Sequence, residues 1–167
     1  MITARRLVRL LLLAFVTAAG LRAAETILTV ITPARTWTLS AADFTALPRA
    51  DLMAVEPHEK KERAYSGVTV REVLLRAGAP LGDKLRGPAL TMGVLVRCKD
   101  NYTVLYALAE FDEAFSQRTV LLSDREDGVA PPASAAPLRL VAPGDTRGAR
   151  WARMVTSLEV ISLPPKT

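Results

Sequence analysis

Residues Pro137–Val155 read PLRLVAPGDTRGARWARMV, and how this stretch is read decides the fold. An apolar, strand-like run, Leu138–Ala142, stops at Pro143-Gly144-Asp145, and three arginines, Arg147, Arg150 and Arg153, follow at intervals of three around Trp151. A Pro-Gly turn lets backbone amides converge on one concavity, and Gly148 leaves room for close backbone approach. Guanidinium forks match the geometry of a phosphate or sulfate. The stretch therefore has two readings. In one, the arginines cradle an anion. In the other, they rim a sheet in solvent and pair with Asp145 or Glu159, as exposed charges commonly do at little gain.

Working outward, short strands bounded by turn residues dominate. Glu25–Thr32 (ETILTVIT) is β-branched and ends at Pro33, and the strand TWTLS leads to Ser40, which can cap a short helix that stops before Pro48. DLMAVE is another strand, and the charged PHEKKERAYSG after it lacks apolar period and reads as an exposed loop. The clearest helix is TVREVLLRAG. Thr69 and Glu72 form a capping box, Val70, Val73 and Leu74 share a face, and Gly78 is the stop. Ala89–Leu108 reads as a hairpin turning at Asp100-Asn101, AEFDEAF as one helical segment, and RTVLLS, LRLVAP and TSLEVISL as the remaining strands. With no internal repeat or linker, the expectation is one α+β domain, residues 24–167, with a mixed, strand-rich sheet and a few short helices.

The first 23 residues have a basic start (Arg5, Arg6), an apolar run from Leu7 to Val16 and then small residues, the three-part pattern of a cleavable signal peptide. Cleavage is expected after Gly20 or Ala23 and the mature chain in the periplasm. The residues after Arg5-Arg6 match a twin-arginine signal poorly. This segment carries four arginines and no acids, so 18 basic and 17 acidic residues remain without it. No global basic excess is left to drive nucleic-acid binding, and any anion site must be local.

Four stretches together, YSGVTVREVLLRAG (65–78), KDNYTVLYALAEFD (99–112), VLLSDREDG (120–128) and APLRLVAPGDTRGARWARMVTSLEV (136–160), resemble the oxidoreductase molybdopterin-binding domain family, whose fold is of the sulfite-oxidase type. The resemblance implies that fold, molybdopterin as cofactor and oxidoreductase ancestry. It also implies that Arg150 and Arg153, with Arg147 beside them, sit where basic residues hold the pterin phosphate. Members of the family bind molybdenum through a cysteine ahead of the segment matching YSGV, and here that region, DLMAVEPHEKKERA, has none. The chain's one cysteine, Cys98, shares a strand face with Val94 and Val96 and reads as a core thiol. His58, the one histidine, reads as a solvated loop residue, and Asp112-Glu113 and Glu126-Asp127 as solvating charges. Trp37 and Trp151 read as packing residues, with Trp151 placed to flank a bound ring. No catalytic or metal-binding residue is assigned. Two functions follow: an exported oxidoreductase or a cofactor or small-anion binder, with a degenerate catalytic centre, or a non-catalytic periplasmic binding or sensory module that lost the cofactor and serves a membrane or periplasmic protein partner.

Overall fold

The computed structural model describes residues 24–162. The expected signal segment, residues 1–23, lies outside the described residues.

The strands divide between two sheets. The first holds β1 (Thr26–Ile31), β2 (Thr36–Ser40), β5 (Met92–Cys98), β6 (Thr103–Ala107) and β9 (Val155–Ser162), in the order β2-β1-β9-β5-β6. The second holds β3 (Ala50–Val55), β4 (Glu62–Thr69), β7 (Leu121–Glu126) and β8 (Arg139–Val141), in the order β3-β4-β7-β8. β1 runs parallel to β9, while the other paired strands are antiparallel, so the first sheet is mixed, as expected.

Alternation sends one face of β1 and β5 inward, whereas β8 and the first half of β7 are buried on both faces. Leu28 and Val30 of β1, Val94 and Val96 of β5, and Leu158 of β9 meet Val68 of β4, Leu121 and Leu122 of β7, and Leu140 of β8 in one apolar cluster. Two short helices close it. In α1 (Ala41–Thr45), Ser40 and Asp43 form a reciprocal capping box and Phe44 is buried. In α2 (Val70–Arg76), Thr69 caps through the Glu72 amide, and Val70, Val73 and Leu74 face the core. The β5–β6 hairpin turns where expected, with Asn101 in the left-handed region at φ 68°.

Three expectations need correction. The charged loop is shorter than its composition suggests, because β4 begins at Glu62, where Arg63 pairs with Glu126 and Asp127 across the sheet. AEFDEAF is not one helix. A 3-10 turn covers Leu108–Phe111, and Asp112 then leaves it in extended geometry. Nor is Asp112 a solvating charge: it is buried and accepts the backbone N–H groups of Gly82 and Ala114. Those amides hold its carboxyl below the ordinary carboxylate range, with burial opposing them.

Candidate functional site

A concavity of about 790 Å³ opens between the turn ends of the two sheets. One wall is the loop between β3 and β4, which supplies His58 and Lys60, and the opposite wall is the β5–β6 turn with Asp100 and Tyr102. The segment from Thr146 to Arg153 forms the third side, bringing Arg147 and Arg153, and Arg139 of β8 lines it from below with Glu56. The stretch between β8 and β9 is thus the hub of the site, because it crosses from one sheet to the other.

The three arginines separate. Arg147 is exposed on the lining and makes no salt bridge among the described residues. Arg153 is also exposed on the lining, 3.8 Å from the Glu56 carboxylate. Arg150 does not line the concavity. Its guanidinium lies 4.1 Å from the Tyr106 ring centre, donates to Glu110 at 2.7 Å and opposes Asp145 at 3.1 Å. Arg118 reaches the same two acids, so both carboxylates are shared between two arginines. Of the two partners weighed for the arginines, Asp145 is engaged by Arg150, whereas Glu159 pairs with Arg97.

Tyrosines of the β5–β6 hairpin latch this turn. The Tyr102 hydroxyl donates to the Ala149 carbonyl at 2.8 Å, and the Tyr106 hydroxyl donates to the Arg150 carbonyl. Burial pushes Tyr106 up to about 12, so it remains a neutral donor. Gly144, at φ +91°, makes the bend after Pro143 that only glycine adopts without strain. The close approach expected at Gly148 is not found, since a Cβ there would meet only Pro57 at 4.0 Å. The convergence of amides expected from the turn is also reduced. Those of Asp145, Arg150 and Trp151 bond within the segment, to Ala142, Arg147 and Gly148.

Below the arginines lies a charged pair that composition hid. Arg139 and Glu56 are both buried, 2.7 Å apart, and Arg139 also reaches Glu126 at 3.1 Å. The Arg139 guanidinium packs 5.7 Å from the Tyr65 and Trp151 ring centres. Burial alone raises the Glu56 pKa, but the amides of Glu59 and His58 and the Arg139 guanidinium outweigh it and hold the carboxyl below its ordinary range. Because its folded value lies below the unfolded one, its contribution to stability is complete above about pH 4.3 and is lost as pH falls through the folded value. We expect the urea midpoint to fall between pH 5 and pH 3, and to fall less in Glu56→Gln, which has no such proton to take up. An equal fall in both would exclude this role for Glu56.

The architecture has a counterpart among solved structures. A chain of the sulfane dehydrogenase SoxCD from Paracoccus pantotrophus superposes with a TM-score of 0.61 at 17% identity. The two share a fold. The alignment covers 80% of this chain and 37% of that one, so this chain spans well under half of its neighbour's length. No protein-family model matches the sequence, and no curated protein does. The α+β, sulfite-oxidase-type fold expected from the sequence is therefore the fold observed, at the level of architecture.

The residues present fit one half of a molybdopterin cofactor and not the other. Lys60, Arg147 and Arg153 offer cationic donors for a phosphate, and two buried donors on the lining, the Trp151 indole N–H and Arg139 Nε, have no hydrogen-bond partner. The metal needs a soft ligand, and the concavity has no thiol. Cys98 lies buried on β5, away from the lining, with burial and then Asp100 pushing its thiol up to about 11. Among the described residues no group of three or more His, Cys, Asp or Glu is placed to hold a metal ion.

Proposed function

We propose that this protein is an exported binding domain of sulfite-oxidase-type fold that holds a small anion, or the phosphate end of a larger ligand, in the concavity between its sheets. Its own residues carry no molybdenum redox chemistry. The observation that supports this most directly is the lining: Lys60, Arg139, Arg147 and Arg153 stand against Glu56 and Asp100, a local excess of positive charge on a chain whose described part has almost none. In this reading Arg147 and Arg153 touch the ligand. Arg150, carried over by resemblance as a third contact, is instead a positioning residue that fixes the turn through Glu110, Asp145 and Tyr106.

The test is titration with inorganic phosphate and sulfate, together with metal and pterin content after expression in a host that makes the cofactor. We expect saturable anion binding. The affinity should drop roughly tenfold or more in each of Arg147→Ala and Arg153→Ala, as loss of one charge-assisted hydrogen bond implies. Arg150→Ala should also bind more weakly, yet with a larger loss of thermal stability than either, because it breaks an internal network. One molybdenum per chain would overturn the metal-free reading, and absence of phosphate and sulfate binding would overturn the anion reading.

A further inference from the structure

β3 is an edge strand: β4 pairs with one side of it, and among the described residues no strand pairs with the other. Proteins commonly protect such edges with lysine, proline or a bulge. β3 has none of these. Its sequence ADLMAV carries one charge, Asp51, and its pairing with β4 runs from Ala50↔Gly67 to Val55↔Glu62 without a register shift. Two large apolar side chains on it are exposed, Met53 at 59% and Val55 at 53%.

β3 also lines a groove. A cavity of about 430 Å³ separates Met53–Val55 from the Pro143–Thr146 turn, and Pro57, Lys60 and Thr146 line both this groove and the basic concavity. The two spaces are therefore neighbours across a shared wall, one lined in part by Met53, Ala54 and Val55 of β3, the other cationic. Asp145 and Glu62 also line the groove, but Asp145 is already held by Arg118 and Arg150.

We infer that this surface takes an extended peptide segment of a partner protein, which adds a strand to β3, lays apolar side chains on Met53 and Val55, and places acidic residues at the end that reaches Lys60, Arg147 and Arg153. Backbone pairing supplies the affinity of such strand addition, and the pockets for alternate side chains supply selectivity. Charge complementarity sets the sign of the partner's end. The inference rests on the anion reading for that end only. The strand addition stands on β3 itself.

Two acetylated, amidated peptides, Val-Thr-Val-Thr-Glu-Glu and Glu-Glu-Thr-Val-Thr-Val, cover the two strand directions, with lysine in place of glutamate as controls. Each is titrated into the full chain and followed by amide signals and hydrogen exchange, with inorganic phosphate titrated in parallel. We expect one acidic peptide to bind saturably, to slow exchange of β3 amides, and to shift the Arg147 and Gly148 amides. Met53→Ser with Val55→Ser, both neutral changes at exposed positions, should weaken that peptide at least tenfold and leave phosphate binding unchanged. Peptide binding without β3 protection, or no peptide binding beside normal phosphate binding, overturns the strand addition and spares the anion site. Equal binding of the lysine controls overturns the acidic end.

Discussion

Gly67→Ala is expected to cost more than about 3 kcal/mol and to leave little folded protein, beyond the usual range for an overpacked core site. An added Cβ would stand 1.9 Å from the Leu122 carbonyl oxygen, 2.7 Å from Ser123 Cα and 2.8 Å from the Leu122 carbonyl carbon. All three are backbone atoms of β7, so no rotamer change relieves the clash. β4 and β7 would have to part at the point where their register already shifts, between Ser66 and Gly67, and where the Ser123 hydroxyl donates to the Ser66 carbonyl at 3.0 Å. Separation there uncovers Val68 and Leu122, both fully buried. Gly82→Ala and Gly87→Ala are the controls. Both have positive φ, +63° and +55°, with nothing within 4 Å of a new Cβ, so each should lose only the left-handed penalty of roughly 1–2 kcal/mol. Urea unfolding of the three variants decides the matter. If Gly67→Ala lies within the range of the other two, close packing of β4 on β7 is not what requires glycine.

Much of the fold is legible locally because local chemistry dictates it. The Ser40 cap, the Thr69 cap and the Asp100-Asn101 turn each depend on residues a few positions apart. Cys98 falls on the buried face with Val94 and Val96, as strand alternation requires. The partition into two sheets is not local. β1 finds β9 across nearly the whole described chain, and nothing in either sequence names the other. The site shows the same divide. Arg147 and Arg153 line the concavity, but Arg150 faces Glu110, 40 residues earlier, and the spacing of three that groups these arginines carries no trace of that partner. Glu56 closes DLMAVE, just before the charged PHEKKERAYSG, and nothing in that strand's pattern marks its carboxylate as buried. Arg139 did leave a signal: a charge between Leu138 and Leu140, in a run whose neighbours are fully buried, must find an opposite charge. Its partner lies 83 residues away, so the need could be read and the answer could not.

That pair carries the other large effect. Arg139→Ala is expected to destabilise the protein by about 3–5 kcal/mol, since removing one member of a buried ion pair leaves its partner charged and uncompensated. Here the acid left uncompensated is Glu56, buried and 2.7 Å away, whereas Glu126, at 3.1 Å from Arg139, keeps its pair with Arg63. The loss should appear in the urea midpoint at pH 7 and should shrink in Arg139→Met with Glu56→Gln. That double variant keeps an acceptor for the His58 and Glu59 amides while removing both buried charges. Anion binding should follow the same logic. Arg153 lies 3.8 Å from the Glu56 carboxylate even while Arg139 occupies it. Once Arg139 is gone, Glu56 becomes the nearest unpaired anion, and Arg153 is drawn to it and away from the ligand. Phosphate affinity should therefore fall in Arg139→Ala by more than the loss of one lining charge explains. With Glu56→Gln added, Arg153 is released and part of the affinity returns. If Arg139→Ala binds phosphate as tightly as the parent, the buried pair serves the fold alone and Arg153 is oriented by something else.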